Sequence, residues 1–332
     1  MHRQMGAEAV ASKQPESRLS GRGLGIMMAA LCTITAAAQP TLMRYGAVRL
    51  DPMLFGSGCA VVATLCVLPV LYVRGELKLL IDRRYRARLL LLSIIGTVVT
   101  TLMLIFGLRR IDAVAGTLLL QSEPVYSLLL ATFFADEERV TLRQVAATGI
   151  IITGIVSAVS SGSGAYSPAW AAMLVVATPL LWQISHVLSL PVMPPLSPVC
   201  MTGARYSYAA VALVLALATI NPRAIMQLAD PTALATIVTT GVVCYFLASL
   251  TWYAAIKRLS LAWATALVIP GIPLLSIVCA IVFLGEHATR RDLIGVLVSI
   301  SGILMLVLGP EGARHVPAIA TETAEAIHRP MN

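Results

Sequence analysis

The chain has 332 residues, 58% of them hydrophobic and only 12% charged, with a mean hydropathy of +0.85 and a formal net charge of +8. A soluble domain carries about 25% charged residues, so the composition excludes an ordinary soluble protein and calls for a lipid bilayer as solvent. Nucleic acid is not an expected partner, because Arg and Lys sit between apolar runs and not on a stripe with stacking aromatics.

In chain order, a polar tail (1–22) precedes the first apolar stretch, 24–43, which is too long for a cleaved signal and is expected to remain as a helix. Nine further stretches follow at 53–73, 89–108, 112–134, 142–160, 168–189, 199–219, 231–256, 260–284 and 293–309. Each approaches the roughly 20 apolar residues that span a bilayer. They are continuously apolar, whereas a lipid-facing barrel strand alternates. The expectation is an all-α polytopic membrane protein with ten transmembrane helices. "PVMPPLSP" (191–198), with four prolines, reads as a rigid extended loop after the sixth stretch. Cys32, Cys59, Cys66, Cys200, Cys244 and Cys279 all fall inside apolar runs without zinc-site spacing, and read as small packing residues. No cofactor or metal is expected.

Basic residues in the connections set the orientation. With ten helices, one side collects 16 Lys and Arg and the other 7, which places both termini in the cytoplasm. The imbalance lies in the first half, so the orientation of the second follows from the even helix count.

An internal repeat organises the chain. "RRIDAVAGTLLLQSEPVYSLLLATFFADEERVTLRQVAATGIIITGI", from Arg109, aligns with "KRLSLAWATALVIPGIPLLSIVCAIVFLGEHATRRDLIGVLVSISGI", from Lys257. At a shift of 148, Arg110 falls on Arg258, Glu138 on Glu286 and Gly154 on Gly302, while Pro124 and Pro273 miss by one. Five helices per unit force opposite orientations, giving two inverted-topology five-helix repeats, an arrangement of secondary transporters with the site near midplane. The repeats are expected at 23–160 and 168–309, joined by the Gly/Ser-rich 161–168 and followed by a second tail, 310–332.

These residues carry a resemblance. A basic pair, an apolar helix with "EP" or "P", an acidic turn and a helix with a Gly seam are similar to the EamA family of the drug/metabolite transporter superfamily. "FLGEHATRRDLIGVLVSISGILML" (283–306) and its partner "LLLQSEPVYSLLLATFF" (118–134) carry it most specifically. The resemblance implies a multi-pass permease of a bacterial inner membrane that exports small metabolites, commonly amino acids and related compounds; some members import. Asp136-Glu137-Glu138 stands where the family has a Gly-Glu turn, and the first helix lacks a tryptophan often found there.

Several residues are candidates for the site. Pro124 frees the carbonyl of Leu120, and Pro270 and Pro273 free those of Ala266 and Ile269. Broken backbone is tolerated in a membrane where it meets protein or a water-filled cavity. Pro124, Pro270, Gly271 and Pro273 are therefore hinge or helix-break candidates. Glu123, mid-helix, would cost about 2.5–3.5 kcal/mol if it faced lipid, so it is expected to face the interior with Gly116, Leu120 and Ser127. Three roles compete for it: proton coupling or binding a cationic substrate group, a structural hydrogen bond, and an ion pair. Trp182, Gln183 and His186 can stack on and hydrogen-bond a planar or amino-acid-like substrate, although His186 can equally sit among headgroups. Tyr245 is a deep cavity candidate sharing a face with Ser249 and Trp252, whereas Trp252 and Tyr253 read as an aromatic belt. Gln39, with Pro40, is a further candidate wall. Arg205 and Arg44 read as snorkelling anchors, and the Gly seams as close helix packing.

No phosphate-binding loop accompanies the three lysines, which argues against a primary pump. Of five histidines only His186 lies in a helix, which argues against an intramembrane enzyme, and the tails are too short for a sensor domain. A channel needs no paired proline breaks. The expected reading is a secondary transporter for a small molecule, with efflux by alternating access; a homodimer is compatible with it.

Overall fold

The computed structural model describes residues 14–134, 141–159, 168–259 and 261–307, and among these every regular element is helical. The expected tails and connecting loop, and Asp136-Glu137-Glu138, lie wholly or largely outside the described residues. Seven helical stretches are long and apolar enough to cross a membrane. They are Gly21–Arg49 (α1), Pro52–Val73 (α2), Arg86–Leu108 (α3), Ala113–Leu130 (the crossing part of α4), Ala169–Val192 (α6), Pro198–Ile220 (α7) and Pro231–Arg258 (α8). Two shorter apolar helices, Leu142–Val156 within Leu142–Val159 (α5) and Ile269–Leu284 within the helical stretch 261–284 (α9), accompany Arg290–Val307 (α10).

Local chemistry explains the ends. Asp51 caps α2, its Oδ1 accepting from the amides of Met53 and Leu54 at 2.9 and 3.1 Å, with Pro52 in the first turn. The chain stays helical through Arg49 before this cap, so α1 runs six residues past its expected end at 43. Ser197 caps α7 in the same manner, with Pro198 in its first turn. The expected extended loop at 191–198 is thereby corrected. Leu190–Val192 forms a 3₁₀ turn and Pro198 opens a helix, because proline's fixed φ suits both positions.

The helices pair as the repeat dictates. α1 packs on α8 and α3 on α6, α2 faces α7, and α5 faces α10. Adding 148 carries α5 onto α10, and their contact is reciprocal. A Cβ on Gly154 would meet Gly295 and Ser299, and one on Gly302 would meet Ala147 and Ile151. Each partner of Gly302 is a partner of Gly154 less 148. The small residues bring the two backbones together, and the Ser299 hydroxyl donates to the carbonyl of Ile151 at 3.4 Å.

Two apolar clusters close the bundle. One joins the end of α1 to α2, α3, α7 and the start of α8 around Phe55, Leu108 and Leu213; the other joins Val67, Leu71, Leu89, Met201 and Tyr253. The candidate site lies between them.

Candidate functional site

Four helices that bear on the site depart from regular α geometry. In α4 the helix ends at Leu120, turns through Gln121 and Ser122, and resumes at Glu123. The amides of Gln121 and Ser122 reach back three residues, to Leu118 and Leu119 at 3.1 and 3.2 Å. In α9 a 3₁₀ turn, Ile269–Gly271, fills the equivalent place, and its longer turn accounts for the one-residue offset of Pro273 from Pro124. α3 and α8 instead widen into π-helix, at Ile94–Val99 and Gly241–Leu247. These two segments coincide under the 148 shift to within a residue, and π geometry recurs at functional sites.

The irregular stretches surround a cavity of about 180 Å³. From α3 it is lined by Gly96, Thr97, Thr100, Thr101 and Leu104, and from α8 by Cys244, Tyr245, Ala248, Ser249 and Trp252. Adding 148 to the first set gives the second, residue for residue. α4 contributes Thr117, Leu120, Gln121 and Glu123, and α9 contributes Val268, Ile269, Ile272 and Pro273. Gln39, Pro40 and Cys32 come from α1, Trp182 and His186 from α6, and Arg205 and Tyr206 from α7.

Of the residues singled out in the sequence, Glu123, Gln39, Trp182, His186 and Tyr245 thus meet in one cavity. Gln183 lies behind it and donates from Nε2 to Glu123 Oε1 at 2.8 Å, orienting the carboxylate. Ser127 and Pro124 are not among the lining residues, and neither are Pro270 and Gly271, although Pro273 is. Ser127 stands four residues beyond Glu123, past the depth of the cavity, and Gly271 is packed so that a Cβ would lie 2.8 Å from Thr33.

Several side chains differ from their expected places. Arg205 is no snorkelling anchor. It is 7% exposed and donates from Nε to Thr97 Oγ1 at 2.7 Å, from Nη1 to the Tyr253 hydroxyl at 3.3 Å and from Nη2 to the carbonyl of Gly96. Tyr253 is wholly buried beneath it, and Trp252 faces the cavity with its ring 5.3 Å from that of His186. Neither belongs to an aromatic belt, because α8 turns Trp252 to His186 of α6 and Tyr253 to Arg205 of α7. Arg44 likewise points inward, donating to the carbonyl of Leu108 at 2.6 Å and pairing with Asp112 at 3.4 Å. Cys32 and Cys244 line the cavity as well as packing.

Polar capacity in this cavity exceeds what the protein uses. Both side-chain polar atoms of Gln121, His186 Nδ1 and Trp252 Nε1 are buried without a hydrogen-bond partner among the described residues. Such groups are rare inside proteins and ask for an explanation. Tyr245 stacks on Tyr206 with ring centroids 5.3 Å apart, and its hydroxyl lies 3.1 Å from that of Thr101. The result is a pocket with apolar and aromatic walls and a few placed polar groups, which is the usual form of a small-molecule site.

Known proteins resemble the chain in sequence and in fold. A "Probable terminal-alkyne amino-acid exporter" of Streptantibioticus cattleyicolor is 29% identical over 232 residues, 68% of this chain and 75% of that protein. A solved crystal structure superposes on 93% of this chain and 100% of its own length, with a TM-score of 0.63 and 15% identity, a likeness of fold alone. The sequence matches the EamA-like transporter family twice, over residues 23–160 and 169–308, and with both repeats matched the chain belongs to that family of multi-pass membrane transporters.

Proposed function

We propose that the chain is a secondary transporter that exports a small organic metabolite, an amino acid or a related compound, across a bacterial inner membrane by alternating access. The observation that carries this reading is the cavity wall shared by α3 and α8, whose lining residues exchange under the repeat shift. A site on the axis between two inverted units is what lets each unit take the other's place as access changes sides. The same reading takes α1–α10 as ten crossings in two inverted five-helix units. Both termini are then cytoplasmic, supported by the 16 to 7 bias of basic residues.

Glu123 supports an ammonium-bearing substrate, since its carboxylate lines the cavity and is held by the neutral Gln183. The same carboxylate is the group proposed to take a proton if export is proton-coupled. The name of the relative supports the amino-acid class, and the aromatic side chains Trp182, Trp252, Tyr206 and Tyr245 suit a substrate with an apolar or planar side chain.

Counterflow in proteoliposomes preloaded with a panel of amino acids, amines and nucleosides tests the proposal, with and without a proton gradient. Exchange of amino acids is the expected outcome. Exchange of nucleosides alone, or none across the panel, would sink it.

A further inference from the structure

We propose that Arg205 is the anion site of the cavity and receives the carboxylate of the substrate, a deepening that rests on the amino-acid reading above. A guanidinium has five N–H donors. Three are used within the protein, by Thr97, Tyr253 and Gly96, which leaves one on each terminal nitrogen. That remainder can take the two oxygens of one carboxylate.

None of the three acceptors is an anion. Among the described residues the ion pair within 4.0 Å is Arg44 with Asp112, so the buried Arg205 has no counter-charge of its own. An unpaired buried cation is strongly disfavoured unless something compensates it. The scaffold does not require the charge. α2, the counterpart of α7 under the repeat, has no charged side chain anywhere in Pro52–Val73. Glu123 is a second departure of the same kind, because α9 carries no charge between 261 and 284. Two charges of opposite sign therefore break the repeat, and both line one cavity without pairing with each other.

The pair specifies the ligand. A dianion such as a phosphate ester would meet repulsion from Glu123, and a simple cation would leave Arg205 uncompensated. A zwitterion with one carboxylate and one ammonium group satisfies both, and an α-amino acid is the smallest common example. Gly96 is part of this device. A Cβ there would lie 2.1 and 2.4 Å from Ser185 Oγ and Cβ and 3.2 Å from Arg205 Nη2, so glycine lets the π segment of α3 lie close against α6 with its carbonyl on the guanidinium.

The test compares matched ligands on the purified full-length protein, read by fluorescence of Trp182 and Trp252 in the cavity wall. One set is phenylalanine, phenethylamine and 3-phenylpropanoate; the other is leucine, 3-methylbutylamine and 4-methylpentanoate. The wild type is expected to bind each amino acid at least about tenfold more tightly than its amine, the usual worth of a charge-assisted pair. Arg205→Gln is expected to abolish that ratio while amine binding stays within about twofold, which also shows the variant is folded. An Arg205→Gln protein that keeps the ratio overturns the assignment, as does a wild type that binds none of the carboxylates or prefers the amines. Should Arg205→Gln lose amine binding too, Arg205→Lys decides: a several-fold loss of the ratio supports the site and an unchanged ratio overturns it. A wild type that binds the two deaminated acids as tightly as the amino acids, with that binding lost in Arg205→Gln, keeps the anion site and removes the amino-acid reading.

Discussion

Replacing Gly154 by alanine tests whether the α5–α10 contact holds the two repeats together. The added Cβ would lie 2.3 Å from Ser299 Oγ, 2.6 Å from the carbonyl oxygen of Gly295 and 2.8 Å from the amide nitrogen of Ser299. The serine side chain can rotate away, at the loss of its bond to Ile151, but the two backbone atoms cannot. Ordinary carbon contacts lie at about 3.5–4.0 Å, so the helices must part by roughly 1 Å at this point. Overpacking of this kind costs about 1–3 kcal/mol. Gly302→Ala meets the reciprocal atoms, Ala147 O and Ile151 Cγ1 at 2.8 Å, and should fall in the same range. Gly149, on the same helix, has nothing within 4 Å. Alanine there removes only the helix penalty of glycine and should be neutral or stabilising by about 0.5–1 kcal/mol. Thermal melting of the three variants in one detergent reads the comparison. Melting points for Gly154→Ala and Gly149→Ala that move together would refute the packing argument, whatever their direction.

Three further outcomes follow from the same geometry. Glu286 accepts from the amides of Ala113 and Val114 at 2.9 and 3.0 Å, capping α4 from the far repeat; Glu286→Ala should cost about 1–2 kcal/mol on melting, Glu286→Gln less, and equal melting of all three proteins would contradict the cap. Gly96→Ala places a Cβ on Ser185 Oγ and crowds Arg205, so counterflow should drop several-fold while the protein still folds; wild-type exchange would show that the π segment tolerates the displacement. Glu123→Gln keeps the shape and removes the charge, so melting should hold while exchange of ammonium-bearing substrates falls at least about tenfold, and unchanged exchange would exclude a charge–charge contact.

The repeat, the helical class and the interior position of Glu123 were legible because each is written in local signals: apolar length, a proline, an acid where lipid forbids one. Arg205 was not. It stands two turns inside α7, and a one-dimensional reading cannot tell a long side chain reaching out to headgroups from one folded inward. The thresholds of depth that misplaced Trp252 and Tyr253 failed for the same reason, since distance along the chain from the end of α8 says nothing about which neighbour covers it. The threonines of α3 carry no such signal, because "TVVTTL" is an apolar run with no charge or proline, and their place shows only in the cavity lining and in the 3.1 Å approach of Thr101 to Tyr245 across it. The π segments leave no proline or glycine rule to read. They shift the phase of every residue beyond them, and their coincidence under the repeat emerges only once the backbone is seen.

Symmetry and charge divide the work between them. The proposed exchange of access between two inverted units needs two end states close in energy, and a backbone that repeats at 148 would provide this without tuning, because each helix contact in one state would have its counterpart in the other. Side chains on the lining need not repeat. Thr97 becomes Tyr245 and Leu104 becomes Trp252, so the α8 wall is bulkier than the α3 wall. A group near the axis contributes alike to both states, and a single copy of it leaves their balance undisturbed. Glu123 and Arg205 both line the cavity to which the two repeats contribute, unpaired with each other and without a charged counterpart in the opposite repeat. A symmetric scaffold can therefore carry an asymmetric site, and the asymmetric residues are where the proposal places this chain's choice of substrate.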